Sequence, residues 1–507
     1  MTLRLSATTS GQLILNNDTI KRITESIPAD AKFWLKPGDI LVQRANTLDY
    51  VGTAAIFDGP QKTYIYPDLM MRIRPRERFV DTGYLWRFIN SHEAKTYLRA
   101  KATGTAGNMP KISGAILRDL PVLLPPYDEQ LRIVAKIDFL TTKSRRAKEA
   151  LDAIPALLER FRKSVLAAAF RGDLTADWRE KNPDVEPAEE LLKRIRAERR
   201  RRWEEAELAK MRAKGKVPED DRWKDRYEEP ESVDASELPE LPEGWCWAGL
   251  SEVAEIQLGQ RRAPEYAGEA EYPYVRAANI TWRGLDLSDV QKMGFADPER
   301  LFLRPGDVLL NEASGSPTEV GKPAIWRGEI QDCCFQATVL RIRPWSEDLI
   351  GDWLHLAFLQ DALLGNFAAM APGVGILHLT AERMRNWPVP LAPSAEQRRL
   401  TKVVESLLVG IYKIGDILAN LARQVARCDT SILAKAFRGE LVPQDPNDEP
   451  ASVLLERLRV ESAENGTTSN GANRRPKAAT PELREAVAKA TKLAPSPRNR
   501  APRSARR

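Results

Sequence analysis

Apolar residues recur with a four-then-three spacing along two stretches of this chain. The first passes through Ile133, Ile137, Leu140, Ser144, Ala147, Leu151, Ile154, Leu158, Phe161, Val165 and Ala168. The second passes through Leu400, Val404, Leu407, Ile411, Ile414, Leu418, Leu421, Val425, Cys428, Ile432 and Lys435, each 267 residues further on. Five heptads of this kind predict two helical rods of roughly 50 Å at 1.5 Å per residue. A lone apolar stripe usually faces a globular core, but two matched stripes in one chain favour pairing with each other. Pro155 is expected to kink or interrupt the first rod, and Gly410 and Gly415 to weaken the second.

The rods belong to a longer duplication. Ala169-Phe170-Arg171-Gly172-Asp173-Leu174 returns as Ala436-Phe437-Arg438-Gly439-Glu440-Leu441, and Glu129-Gln130 as Glu396-Gln397. Upstream, Leu35-Lys36-Pro37-Gly38-Asp39 returns as Leu303-Arg304-Pro305-Gly306-Asp307, and Arg72-Ile73-Arg74-Pro75 as Arg341-Ile342-Arg343-Pro344. Between Gln130 and Phe170 the offset never changes, so that length is fixed in both copies. Before each rod the pattern reads as mixed α/β. Strands are expected at Ile40–Val42, Thr53–Phe57, Leu69–Ile73, Val308–Leu310, Pro323–Trp326 and Thr338–Ile342, and helices at Tyr84–Ala100 and Leu349–Phe367.

What the copies share are turn and strand positions; the loops between them are nearly unrelated. Gln43 to Tyr50 in one copy stands against Asn311 to Glu319 in the other. One scaffold carrying two surfaces suits recognition of two different things. The loops hold groups able to meet base edges and phosphates: Arg44, Asn46, Tyr50 and Lys62 in the first copy, and Gln260, Arg261, Arg262, Arg276, Asn279, Trp282, Arg283 and Asn311 in the second. Guanidinium and amide groups bond bases two at a time, and aromatic rings add stacking faces. Any one of them, taken singly, is more often an ordinary surface residue.

Composition changes this picture in only one respect. The net charge is +6, but from Asn465 onward eleven Lys/Arg face only Glu482 and Glu485, so the tail carries +9 and the rest of the chain −3. Nucleic-acid binding must therefore come from local patches. The tail is too poor in apolar residues to form a core and reads as disordered, with a short helix at Pro481 to Lys492. The run around Arg199-Arg200-Arg201-Arg202 reads as a salt-bridged, solvated helix face. Four cysteines without a CxxC and three histidines give no zinc framework and fit a reducing cytosol. The absence of long apolar runs argues against a membrane partner.

Catalytic signatures are missing. Five residues, not four, separate Gly315 from Gly321, and Lys322 is followed by Pro323, so the phosphate-loop pattern fails. Leu124 precedes Pro125-Pro126-Tyr127 where an amino-methyltransferase needs Asn or Asp. GxSxG, HExxH and a dinucleotide-binding glycine turn are all lacking, so neither enzyme activity nor a cofactor is expected.

The combination resembles the DNA-specificity (S) subunits of type I restriction-modification enzymes. The residues that carry the likeness are the Pro388 to Gln397 and Pro121 to Gln130 lead-ins, the rods ending in Ala-Phe-Arg-Gly-Asp/Glu-Leu, Leu241-Pro242-Glu243-Gly244-Trp245, and Tyr274 to Ile280. The resemblance runs from residue 1 to about 461. It implies an α/β (α+β) fold with two tandem target-recognition domains separated by long helices that pair as an antiparallel coiled coil. It further implies a non-catalytic subunit that binds double-stranded DNA, two modification (methyltransferase) subunits and restriction (translocase-nuclease) subunits in the cytoplasm. On this reading the organisation is recognition domain 1 over 1–126, a first spacer helix over 127–172 and a charged helical linker over 173–237. Recognition domain 2 then occupies 238–393, a second spacer helix 394–439, a C-terminal helix 440–464 and the basic tail 465–507. About thirty residues, Leu241 to Tyr272, have no counterpart before Leu3, so the first domain is expected to lack its opening segment. The alternative is a coiled-coil scaffold without DNA recognition.

Overall fold

The computed structural model describes residues 1–104, 109–215, 218–263, 270–370 and 375–466. In chain order the first half holds β1 (Thr2–Leu3), β2 (Ile20–Lys21), β3 (Ile40–Gln43), β4 (Ala54–Ile56), β5 (Met70–Ile73), α1 (Thr82–Ile89), α2 (His92–Lys101), α3 (Gly114–Arg118), α4 (Tyr127–Phe170), α5 (Ala176–Glu180) and α6 (Ala188–Ala213). There follow β6 (Cys246–Gly249), α7 (Leu250–Val253), β7 (Ala254–Leu258), β8 (Glu271–Val275), β9 (Ile280–Thr281), β10 (Gly284–Leu285), β11 (Gln291–Gly294), α8 (Pro298–Leu301) and β12 (Val308–Asn311). The remainder is β13 (Ala313–Ser314), β14 (Pro323–Ile325), β15 (Cys334–Phe335), β16 (Val339–Pro344), α9 (Gly351–Leu364), α10 (Asn366–Met370), β17 (Leu377–His378), α11 (Ala381–Met384), β18 (Pro388–Leu391), α12 (Ser394–Phe437) and α13 (Ala451–Gly466). Two compact units result: among the described residues one joins 1–143 to 428–466, and the other is Ser144–Arg427.

In the second unit β14-β12-β16-β7 forms an antiparallel sheet. All four residues of β12 are buried, and their alternation serves two cores. Val308 and Leu310 face Trp353, Leu354, Phe358 and Phe367, whereas Leu309 packs with Trp326, Phe335 and the adjacent Cys333 and Cys334. The first unit repeats the frame with β4-β3-β5. There Ile40 and Val42 join Tyr84 and Phe88, while Leu41 joins Phe57 on the other face.

The shared Pro-Gly-Asp turn explains why these residues recur. Gly306 has a φ of +94°, a region glycine enters without a Cβ clash. The buried Asp307 carboxylate accepts from the Arg304 amide at 2.7 Å and from Arg343 Nε and guanidinium nitrogen, both at 2.7 Å. In the first unit Asp39 accepts from the Lys36 amide at 2.9 Å and from Arg74 at 2.7 and 2.9 Å. The strand-end arginine thus closes each sheet against its turn.

Both long helices have 44 residues, with ends that match at the 267 offset. In the second unit Val165, Leu166, Ala169 and Phe170 share a core with Leu400, Val404, Leu408 and Ile411. In the first, Ile133 and Ile137 share one with Ile432, Ala436 and Phe437, so the pairing is antiparallel in each unit. The helix runs unbroken through Pro155, which lines a groove of about 360 Å³ together with Gly415. The seam differs in detail from the heptad expectation. Phe161, Leu407, Ile414, Leu421 and Cys428 are exposed, while Arg162 and Leu408, each one residue beyond a seam position, are buried and Ile411 keeps its seam place. A helix of 3.6 residues per turn drifts against a 3.5 repeat, and here the contact stripe moves on by one residue.

Other elements also depart from the sequence pattern. Tyr84–Ala100 is two helices, because Ser91 caps α2 by accepting from the Ala94 amide. Leu349–Phe367 is likewise interrupted, at Gly365 with φ +82°. The charged stretch after the first rod contributes Leu191, Leu192 and Ile195 of α6 to the second unit's core. The expected helix at Pro481 to Lys492 lies outside the described residues. In the second unit β16 is paired on both edges, by β12 and β7, whereas among the described residues β5 is paired only by β3. Val389 and Leu391, paired with β6, are buried, while at the corresponding places of the first unit Val122 is exposed and Leu124 half-buried.

Candidate nucleic-acid interface

The register of each sheet decides which loops share an end. In the second unit Asn311 pairs with Val339, Leu340 with Leu258, and Leu310 with Pro323. The segments following Leu258, following Asn311 and preceding Val339 therefore emerge together, opposite the Asp307 turn. β17 joins them, since His378 pairs with Ala313. In the first unit Gln43 pairs with Met70, and the bridge Ala45–Lys111 brings the segment before Ile112 to that same end.

The twelve candidate residues separate clearly when placed on this frame. Arg44, Asn46 and Tyr50 share the loop end of the first unit. Arg44 is exposed and bonds the Asp68 carbonyl at 3.2 Å, and Tyr50 is exposed. Asn46 is half-buried, and its amide donates to Gln43 Oε1 at 2.6 Å. Lys62, exposed with φ +55°, lies on the β4–β5 connection at the opposite end.

In the second unit Arg261 and Arg262 are exposed at the loop end and make no side-chain hydrogen bond or ion pair among the described residues. Gln260 is engaged within the fold: its Oε1 accepts from the Ala296 amide at 3.0 Å and its Nε2 reaches the Gly294 carbonyl at 3.4 Å. Asn279 is buried, accepting from the Arg276 amide and donating to the Asp286 and Asp289 carbonyls. Arg276 itself pairs with Asp289. Asn311 is buried and donates to the Glu319 carbonyl at 2.8 Å. Trp282 and Arg283 are turned to the long helices.

Three loop-end residues have no sequence signature of their own. His378 Nδ1 lies 3.0 Å from Glu312 Oε1, with the histidine side chain about half exposed and the carboxylate largely covered. Lys111 occupies the equivalent place in the first unit and is exposed. Among the described residues no group of His, Cys, Asp and Glu is placed to hold a metal ion, and no helix is long and apolar enough to cross a membrane.

Known proteins agree on what such a frame belongs to. The family model described as "Type I restriction modification DNA specificity domain" matches residues 8–155. The EcoDI specificity subunit of Escherichia coli is 24% identical over 422 residues, 81% of each chain. The EcoBI specificity subunit, also of Escherichia coli, is 25% identical over 468 residues, 89% of this chain and 85% of its own. Among solved structures, the HsdS subunit from Thermoanaerobacter tengcongensis has a TM-score of 0.53 at 20% identity, covering 87% of this chain and 90% of its own. A chain from a study of complex assembly in the type I R-M system has a TM-score of 0.58 at 20% identity, covering 87% and 91%. Along most of its length the chain is similar to the type I restriction-modification specificity subunits. It is the DNA-specificity component of such a system, and the non-catalytic one.

In this specificity subunit the second recognition frame is fixed to its helices by one buried arginine. Arg162 of α4 is only 5% exposed. It donates to the Trp282 carbonyl at 3.3 Å and stacks over the rings of Trp282 and Tyr412. Arg283 bonds Asp416 of α12 at 2.7 Å. The β9–β10 turn thus anchors the frame, which accounts for an aromatic-arginine pair that resembled a base-reading motif. On α6 of the specificity subunit, Arg201 and Arg202 hydrogen-bond Glu198 and pull its carboxyl down to about 2, while Arg200 meets Glu204. Those arginines are neutralised along their own helix.

Proposed function

We propose that this subunit reads an asymmetric two-part sequence in double-stranded DNA and scaffolds the modification and restriction subunits that act on it. The observation that carries the reading is the repeated frame: the same turn, sheet and helix positions recur, while the loops at the end opposite the turn differ. Each frame then reads its own short segment through the major groove, where base pairs present distinct donor and acceptor patterns. Arg261 and Arg262 in the second unit, and Arg44, Asn46 and Tyr50 in the first, are the candidate contacts that remain available at the loop end. Lys62, Gln260, Arg276, Asn279, Trp282, Arg283 and Asn311 are assigned to the frame and its approach to the backbone.

For the partners, the helix pair supplies a surface. Leu157 and Phe161 on α4, and Ile414, Ile417 and Leu421 on α12, are apolar and exposed within the second unit. Exposed clusters of this kind mark association sites, and two modification subunits are the proposed occupants. The test is to map methylated adenines in cells carrying this chain with its modification subunits. The expected motif is split and asymmetric, with unread base pairs between its halves; a single short palindrome overturns the reading. Exchange of residues 241–391 for an unrelated recognition domain should change one half only, and DNA binding unaffected by that exchange would favour a scaffold without DNA recognition.

A further inference from the structure

We infer that the pair Glu312–His378 in the second unit, and its counterpart Arg44–Lys111 in the first, set which base each recognition face accepts at one position of its half-target. This deepens the two-part reading and rests on it.

The equivalence is fixed by backbone contacts. The Leu379 amide bonds the Glu312 carbonyl at 2.7 Å, and the Ile112 amide bonds the Arg44 carbonyl at 2.9 Å. His378 bridges to Ala313 as Lys111 does to Ala45. Both pairs sit at the loop end of their sheet, beside the segments that carry Arg261 and Arg262 or Asn46 and Tyr50. One scaffold position thus bears opposite hydrogen-bonding character in its two copies.

Arg44 and Lys111 can only donate. They suit the O6 and N7 acceptors of guanine. Glu312, with its side chain 12% exposed, is held in place and accepts at 3.0 Å from His378 Nδ1. A neutral imidazole whose Nδ1 proton is engaged leaves Nε2 as an acceptor. With its side chain 52% exposed, His378 can present that nitrogen to an exocyclic amino group, adenine N6 or cytosine N4. His378 is then the contacting residue and Glu312 the positioning residue. A carboxylate behind the ring also disfavours a phosphate at that spot, so the second pair fits a base rather than the DNA backbone.

The test uses the full chain in complex with its modification subunits, with methylated adenines mapped for wild type, His378→Ala, Glu312→Gln and the double variant Glu312→Arg with His378→Lys. His378→Ala should relax discrimination roughly tenfold or more at one base position of one half-motif. Glu312→Gln should weaken the same position less, and the double variant should shift it towards guanine, with the other half-motif unchanged throughout. A motif identical to wild type in all variants, or loss of methylation at every site alike, overturns the assignment. A wild-type motif in one uninterrupted block overturns the two-part reading itself, and does so before any variant is made.

Discussion

Tyr412 donates its hydroxyl to the carbonyl oxygen of Trp282 at 2.9 Å, and Arg162 reaches the same oxygen at 3.3 Å. One backbone oxygen thereby joins the recognition frame to both long helices within the second unit. Tyr412→Phe leaves Arg162 in place and should cost about 1 kcal/mol. Arg162→Ala removes the bond and both ring contacts, and should cost about 3 kcal/mol. Denaturant unfolding followed by tryptophan fluorescence measures both, and equal effects for the two variants would contradict the ranking.

The two turn clamps should not be equally strong. The arginine hydrogen-bonded to Asp307 has a side chain 15% exposed, whereas Arg74, hydrogen-bonded to Asp39, is 46% exposed and more strongly screened by water, with Arg72 adding only a longer contact at 4.0 Å. Asp307→Asn is expected to destabilise by about 3 kcal/mol and Asp39→Asn by about 1 kcal/mol. Comparison of urea midpoints for the two variants checks the order.

Helix α9 carries two groups that titrate in opposite senses. Burial pushes the Asp361 carboxyl from an ordinary 3.8 up to about 6, although Asn366 and Trp387 bond it. The native state therefore holds that proton more tightly, and the contribution present below pH 4 is lost as pH rises through 6. Packing around the ring, together with Arg327 and Arg162, pushes His355 from 6.5 down to about 4. Its contribution is present above pH 6.5 and is lost as pH falls through 4. Each shift corresponds to about 3 kcal/mol, so in the wild type they largely offset. Asp361→Asn should make stability fall steadily from pH 7 to 4, and His355→Gln should make it rise. Unfolding midpoints across that range decide the matter; parallel curves for the two variants would refute the assignment.

Ile417 and Phe161 are 59% and 51% exposed on the long helices. Ile417→Glu and Phe161→Glu should each leave unfolding within about 0.5 kcal/mol of wild type and abolish co-purification with the modification subunits. Retained assembly in both variants would remove this face from the partner surface.

The extent of the two long helices was legible in the sequence because an insertion in either would shift every residue packed along it, and the fixed 267 offset marks both ends. The sheets were legible for a similar reason, since the Asp–Arg clamps repeat together with the strands they close. The candidate contacts were less so. Asn279 and Asn311 have the amides that bond adenine, but the same amides satisfy turn carbonyls, and residue type does not distinguish the two uses. Glu312 carries the charge opposite to that sought in a DNA surface, and only its alignment with Arg44 could have drawn notice to it. The seam shifted because heptad counting assumes a supercoil that these helices do not follow throughout.

The Asp307 turn closes one end of its sheet, and the divergent loops leave the other. Changes in the loops consequently do not reach the residues that hold the strands together. The chemistry of one end can therefore be rewritten while the fastening at the other stays as it is.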